Sequence, residues 1–212
     1  MNLRTRVKIC GLTTVEAAHA AVEAGADALG LVFYGPSKRY VDPEKAAEIA
    51  TVVPAFVSMV GLFVDADETS IKQVLARAPL QLLQFHGTES PAFCESFGVP
   101  YIKALRVREG MDIREHASAY SNAKAILLDT YKDKVPGGTG EVFDWSLVPE
   151  LSERIILAGG LCPENVGRAI SAVKPYAVDT SGGVESAPGV KDPARIRAFI
   201  AQVLQTDSNL NA

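Results

Sequence analysis

Short apolar, β-branched runs recur along the chain, separated by stretches in which apolar residues return at helical spacing. The runs are Arg6–Cys10, Ala28–Phe33, Phe56–Phe63, Leu80–Phe85, Tyr101–Leu105, Ala125–Asp129, Ile155–Ala158 and Tyr176–Ser181. Their apolarity is nearly continuous rather than alternating. A strand covered on both faces needs that pattern, so a parallel sheet flanked by helices is expected. The intervening segments begin like helices. Thr13 with Glu16, and Asp112 with Glu115, fit the capping box. Asp42-Pro43, Ser90-Pro91 and Asp192-Pro193 put a capping oxygen before a proline at the first helical position. Ala18, Ala21 and Val22, then Ile196, Phe199, Ile200 and Val203, mark buried helix faces, and Gly25 stands where a first helix should end.

The strand ends lie about 24 residues apart, room for one loop, one helix and one strand. Eight βα units at that pitch occupy 1–205 as one compact α/β domain and leave 206–212 as a polar C-terminal tail. Eight parallel strands can close into a (β/α)8 barrel, the TIM barrel, or lie open as a doubly wound sheet. Cys10-Gly11-Leu12-Thr13 after the first strand lacks the GxGxxG turn usual in open sheets, which favours the barrel. Its active site is then expected at the C-terminal ends of the strands.

Composition narrows the function classes. The chain has 212 residues, 48% hydrophobic and 22% charged, enough for one well-cored globular domain. A net charge of −4 offers no general pull toward nucleic acid or an anionic membrane. No apolar run approaches the roughly 18–20 residues of a membrane helix, and the N-terminus has no signal-peptide pattern. Cys10, Cys94 and Cys162 are odd in number and form no CxxC pair. A disulfide framework and a structural zinc are disfavoured, and a reducing, cytoplasmic compartment is expected. Three scattered histidines imply no metal, and no GxSxG, HExxH or P-loop motif occurs.

Several polar residues fall where the pattern calls for apolar ones. Lys8 and Cys10 share a face of the first strand, as do Leu127 and Asp129 on the sixth and Asp179 and Ser181 on the eighth, while Lys103 interrupts the fifth. These groups are expected to converge in the upper barrel, either as a buried ion-pair layer of Lys8, Lys103, Asp129 and Asp179 or as a site. Asp129, at a strand tip, points to function. Cys10 ends its strand two residues above Lys8, whose ammonium would lower the thiol pKa from about 8.5. Gly159-Gly160 and Ser181-Gly182-Gly183 follow the seventh and eighth strands, where phosphate-holding barrels bring backbone N–H groups to an anion. Arg39 offers a fork of donors to a carboxylate; a solvated loop charge is the alternative reading for it and the favoured one for Lys38. His86 ends the fourth strand as a ligand contact or a structural histidine; His19 and His116 sit in helical patterns. Gly137-Gly138-Thr139-Gly140 lies in a long loop, 130–143, that reads as a lid.

Taken in chain order, Lys8-Ile9-Cys10-Gly11, Ser37-Lys38-Arg39-Tyr40, Gln84-Phe85-His86-Gly87, Leu127-Leu128-Asp129-Thr130, Gly137-Gly138-Thr139-Gly140, Phe143-Asp144-Trp145, Ala158-Gly159-Gly160 and Asp179-Thr180-Ser181-Gly182-Gly183-Val184-Glu185 closely resemble the phosphoribosylanthranilate isomerase family. The likeness spans nearly the whole chain. Phe85, where a smaller apolar residue is expected, and Cys162, in place of a polar one, depart from it.

The resemblance implies an Amadori rearrangement in tryptophan biosynthesis. N-(5-phosphoribosyl)anthranilate becomes 1-(2-carboxyphenylamino)-1-deoxyribulose 5-phosphate, with no cofactor and no metal. It further implies Asp129 as general acid, still holding its proton near neutrality, and Cys10 as general base. Arg39 would bind the anthranilate carboxylate, and the glycine loops at Gly159-Gly160 and Ser181-Gly182-Gly183 the phosphate, with His86 and Asp179 as further substrate contacts. The expected partner is a small phosphosugar, and the chain a monomer or homodimer. The rival readings are another phosphosugar barrel enzyme and a non-catalytic phosphate-binding barrel. The second has no need of Cys10 and Asp129 on separate strands.

Overall fold

The computed structural model describes residues 4–108, 110–130, 144–149, 151 and 153–211. Eight parallel strands close into one barrel in chain order: β1 (Arg6–Cys10), β2 (Ala28–Val32), β3 (Ser58–Phe63), β4 (Leu82–Phe85), β5 (Tyr101–Val107), β6 (Ala125–Thr130), β7 (Ile155–Leu157) and β8 (Ala177–Thr180). Closure comes from β1 against β8, in a register that sets Lys8 opposite Asp179 and Ile9 opposite Thr180. On the other side of β1, Cys10 is opposite Gly30. Each strand lies within two residues of the apolar run that predicts it.

Seven helices cover the barrel among the described residues: α1 (Val15–Ala24), α2 (Pro43–Ala50), α3 (Glu68–Leu75), α4 (Pro91–Glu95), α5 (Ile113–Ser118), α6 (Val166–Val173) and α7 (Pro193–Leu210). Between β6 and β7 the described residues hold a single 3₁₀ turn, Trp145–Leu147. Asp42, Ser90, Asp112 and Asp192 cap α2, α4, α5 and α7 through their side chains, as expected from the sequence. The cap of α1 differs. Thr14, extended at φ −137°, accepts from Ala17 N, while the Thr13 hydroxyl reaches across to donate to Gly189 O at 3.0 Å. Gly25 closes α1 at φ 99°, where a Cβ would be strained.

Of the polar tail expected over 206–212, residues 206–210 belong to the end of α7. Apolar burial of Ile196, Phe199, Ile200 and Val203 seats this helix beside α1 and α6. Such burial is worth roughly 1.5–3 kcal/mol per large side chain. Thr206 and Asp207 are then buried too, and Asp207 accepts from Thr5 N at 2.6 Å and from Thr5 Oγ1 at 2.7 Å. That contact ties the end of the chain to the entry of β1.

The barrel interior and the helix layer take different residues of each strand. Ile102, Ala104, Leu127, Ile156, Ala158 and Ala177 cluster together, whereas Leu105, Val107, Ile126 and Leu128 pack with Ile113 and Ala117 of α5. Lys103 shares the second side. Its ammonium bonds Glu89 at 2.9 Å and the carbonyl oxygens of Phe85 and Gly87. It therefore does not join Lys8, Asp129 and Asp179, and the four-member ion-pair layer does not form. Phe85 is fully buried, and its ring is surrounded by those of Phe63, Phe93, Phe97 and Tyr101. This aromatic cluster supplies the room for the larger side chain.

After β8 the chain makes a small antiparallel hairpin that the sequence pattern does not reveal, β9 (Glu185–Ala187) and β10 (Val190–Lys191). It carries two charged residues back toward the strand ends.

Candidate active site

A cleft opens among the C-terminal strand ends and is lined by Cys10, Arg39, Gln84, His86, Asp129, Asp179 and Ser181, with Val32, Leu62 and Val64 as apolar wall. Adjoining it, a second recess is lined by Gly159, Gly160, Gly182 and Gly183 and shares Asp129, Asp179 and Ser181 with the first. Every site residue expected from the sequence thus lines one of two adjacent spaces. The expected lid, 130–143 with its Gly137-Gly138-Thr139-Gly140 cluster, lies outside the described residues apart from Thr130.

Cys10 reaches the cleft because Gly30 leaves room for it. A Cβ built on Gly30 would stand 2.7 Å from the Cys10 sulfur. On the neighbouring strand β8, Asp179 accepts from Lys8 Nζ at 2.8 Å, both side chains buried. Burial works against the charge of Lys8, but Asp179 and the Cys10 sulfur outweigh it and raise the Lys8 pKa. Burial also dominates at Cys10 and pushes its thiol above the ordinary range. Lys8 and Lys191 pull the other way, and Asp179 adds to the rise. The expectation that Lys8 leaves Cys10 with a lowered pKa therefore fails: its pull is real, but smaller than the cost of burying a thiolate.

Asp129, next to last in β6, has both oxygens engaged. Oδ1 accepts from Thr130 N at 2.8 Å, and Oδ2 lies 3.1 Å from His86 Nε2. Gly159, at φ 83°, allows this arrangement. A Cβ there would meet Thr130 Oγ1 at 2.3 Å and Asp129 Oδ1 at 3.0 Å. The opposite nitrogen of His86, Nδ1, is 2.9 Å from Gln84 Nε2.

Arg39 is held by a carboxylate from the hairpin. Its Nε and Nη2 donate to Glu185 at 2.7 and 2.8 Å, a bidentate pair. Lys191 Nζ reaches the same carboxylate at 2.7 Å and donates to Ser181 O at 3.0 Å. Burial raises the pKa of Glu185, but Arg39 and Lys191 outweigh it and hold the carboxyl below its usual range. Burial lowers the Lys191 pKa. Glu185 absorbs one of the two neighbouring cations and leaves a positive excess beside the cleft.

Gln84, Glu185 and Lys191 were not singled out by sequence reasoning. Gln84 carries a signal in hindsight, as one of two polar residues in the run Leu80–Phe85 and the one that lies within β4. Glu185 stands within the Gly182-Gly183-Val184-Glu185 motif without a pattern that assigns it a role. Among the described residues no group of three His, Cys, Asp or Glu stands close enough to hold a metal ion. No described helix is long and apolar enough to cross a membrane.

Comparison with known proteins gives one consistent result. A family model described as N-(5'phosphoribosyl)anthranilate (PRA) isomerase matches residues 7–202. An N-(5'-phosphoribosyl)anthranilate isomerase of Pseudomonas fluorescens is 57% identical over 206 residues, 97% of this chain and 98% of that one. The phosphoribosyl anthranilate isomerase of Thermotoga maritima superposes with a TM-score of 0.87 at 43% identity, covering 95% of this chain and 99% of that one. A further isomerase structure, in complex with reduced 1-(o-carboxyphenylamino)-1-deoxyribulose 5-phosphate, gives a TM-score of 0.83 at 42% identity with the same coverage.

Proposed function

The chain belongs to the N-(5'-phosphoribosyl)anthranilate isomerase family, and on that premise we propose an Amadori rearrangement, within tryptophan biosynthesis, run by Asp129 as general acid and Cys10 as general base. One observation carries this reading. A carboxyl group, a thiol and a guanidinium line a single cleft that adjoins a glycine-walled cavity.

The substrate, N-(5-phosphoribosyl)anthranilate, has an anthranilate carboxylate at one end and a phosphate at the other. Arg39 takes the carboxylate. Glu185 occupies its Nε and one Nη2 donor, and the Nη1 donors remain for a second anion. The loops at Gly159-Gly160 and Ser181-Gly182-Gly183 take the phosphate, since without side chains their backbone can approach it closely. The sugar then spans the residues that the two cavities share.

Chemistry starts with a proton from Asp129 to the furanose ring oxygen. The C–O bond breaks, and the nitrogen lone pair forms an iminium. Asp129 is left as a carboxylate, held by Thr130 N and His86 Nε2. The iminium makes the C2′ proton acidic, and the Cys10 thiolate removes it to give an enolamine. Tautomerisation then yields the ketone, 1-(2-carboxyphenylamino)-1-deoxyribulose 5-phosphate. One acid and one base suffice, because no electrons leave the substrate.

Mixing the purified protein with the fluorescent aminobenzoate substrate tests the reading. Emission should decay and a ketone carbon should appear by NMR. Stable fluorescence in the presence of bound substrate would mark a binding protein instead.

A further inference from the structure

His86 bridges two other buried side chains. Its Nδ1 lies 2.9 Å from Gln84 Nε2 and its Nε2 lies 3.1 Å from Asp129 Oδ2. Exposure is 0% for Gln84, 7% for His86 and 6% for Asp129. A carboxamide nitrogen can only donate. With that NH₂ group against it, Nδ1 must be the acceptor. A neutral imidazole then carries its proton on Nε2 and donates it to Asp129.

The other end of the carboxamide is unengaged. Gln84 Oε1 is buried and has no hydrogen-bond partner among the described residues. Among the described residues the amide orientation is therefore coupled to the imidazole tautomer alone, and the imidazole in turn to Asp129. Turned over, the amide would present its oxygen to Nδ1 and draw the ring proton there. Nε2 would become a lone pair facing Asp129. That lone pair would accept the proton Asp129 must deliver to the substrate, and would repel the carboxylate left after delivery.

We propose that Gln84 is a positioning residue: its NH₂ group selects the Nε2–H tautomer of His86, so that His86 donates to Asp129 Oδ2 and stabilises the carboxylate formed when the acid gives up its proton. The proposal deepens the acid–base reading above and rests on Asp129 being the acid. His86 moves no proton in this scheme. The proton passes from Asp129 to the ring oxygen, and His86 keeps its own. With Thr130 N on Oδ1, each oxygen of the new carboxylate then accepts one hydrogen bond.

The test begins with the unaltered protein. Long-range ¹H–¹⁵N correlation on ¹⁵N-histidine-labelled protein reads the tautomer directly, with the His86 signals assigned by their absence in His86→Gln. The Nε2–H pattern is expected; an Nδ1–H pattern or an imidazolium overturns the proposal. Gln84→Glu replaces the donor with an acceptor of nearly the same shape. His86 should shift to Nδ1–H, and kcat should fall about tenfold or more, a part of the roughly 10²–10⁴ that one acid–base group supplies, with KM within about twofold. A shifted tautomer with full kcat also overturns it. If Gln84→Glu does not fold, the wild-type spectrum still decides. Full turnover in Asp129→Asn would bring down the acid assignment and this proposal together, whereas an Nδ1–H signal beside an inactive Asp129→Asn removes this proposal alone.

Discussion

Gly30 faces Cys10 across the β1–β2 pairing, and its missing side chain is what leaves the thiol its place: a Cβ there would come within 2.7 Å of the sulfur and 3.0 Å of the Cys10 Cα. Backbone cannot yield cheaply in a closed barrel. Gly30→Ala should displace the thiol and lower kcat by about tenfold or more, inside the range of one acid–base group. Steady-state kinetics beside a circular dichroism spectrum would check this, and an unaltered kcat in a folded variant would contradict it.

Cys10→Ser and Asp129→Asn each remove a proton-transferring group with little change of shape. Each should lower kcat by about 10²–10⁴ while the far-ultraviolet spectrum stays unchanged. Near-normal turnover in Asp129→Asn would refute the acid role.

Arg39→Ala should act on binding. Loss of a charged hydrogen bond, about 1.5–3 kcal/mol, corresponds to a rise in KM of about tenfold or more, with a smaller effect on kcat. Glu185→Ala should move KM in the same direction, because the guanidinium loses the carboxylate that orients it. An unchanged KM in Arg39→Ala would remove its proposed contact.

The Cys10 thiol titrates above its ordinary value because burial outweighs the pull of Lys8 and Lys191. The thiolate is the form that reacts with iodoacetamide. Labelling at Cys10, followed by peptide mass spectrometry across pH, should therefore show a midpoint above the reference of about 8.5. Lys8→Met removes a cation that lowers this pKa, so the midpoint should move further up. A midpoint that stays put would sever Lys8 from the thiol.

Asp207→Ala leaves Thr5 N and Thr5 Oγ1 without the carboxylate that now accepts from both. The cost should be about 1–3 kcal/mol, or a few degrees of Tm for a domain of this size. Deleting 206–212 should cost at least as much, and calorimetry would decide.

The eight strands were legible in the sequence because strands buried on both faces are apolar along most of their length, and the barrel because eight of them recur at an even pitch without a GxGxxG turn after the first. Caps at Asp42, Ser90, Asp112 and Asp192 were legible because a side-chain oxygen beside a helix start acts over three residues. What the sequence hid depends on contacts between distant segments. Lys103 faces Glu89 rather than the barrel interior, and a lone charge in an apolar run carries no sign of its direction. Thr206 and Asp207 look like solvent-exposed residues until Thr5 is placed beside them. The hairpin bearing Glu185 and Lys191 has strands of three and two residues, too short for any periodicity to show. Within the cleft, Cys10, Asp129, Asp179 and Ser181 stand out by sharing a strand face with other polar or strand-end positions, His86 by ending a strand, and Arg39 by its place in a loop over a strand end. Gln84 was passed over because glutamine is a mild exception in a strand, and its significance appears only with His86 against it.

The seam between the first and last strands joins Lys8 to Asp179, which are 171 positions apart in the chain. A chain still missing its final quarter lacks β8 and with it Asp179, Ser181, Gly182 and Gly183 of the cleft and its adjoining recess. Recovery of turnover after denaturation should therefore trail the return of helical signal, which makes the enzyme's own catalysis a gauge of when its circle is complete.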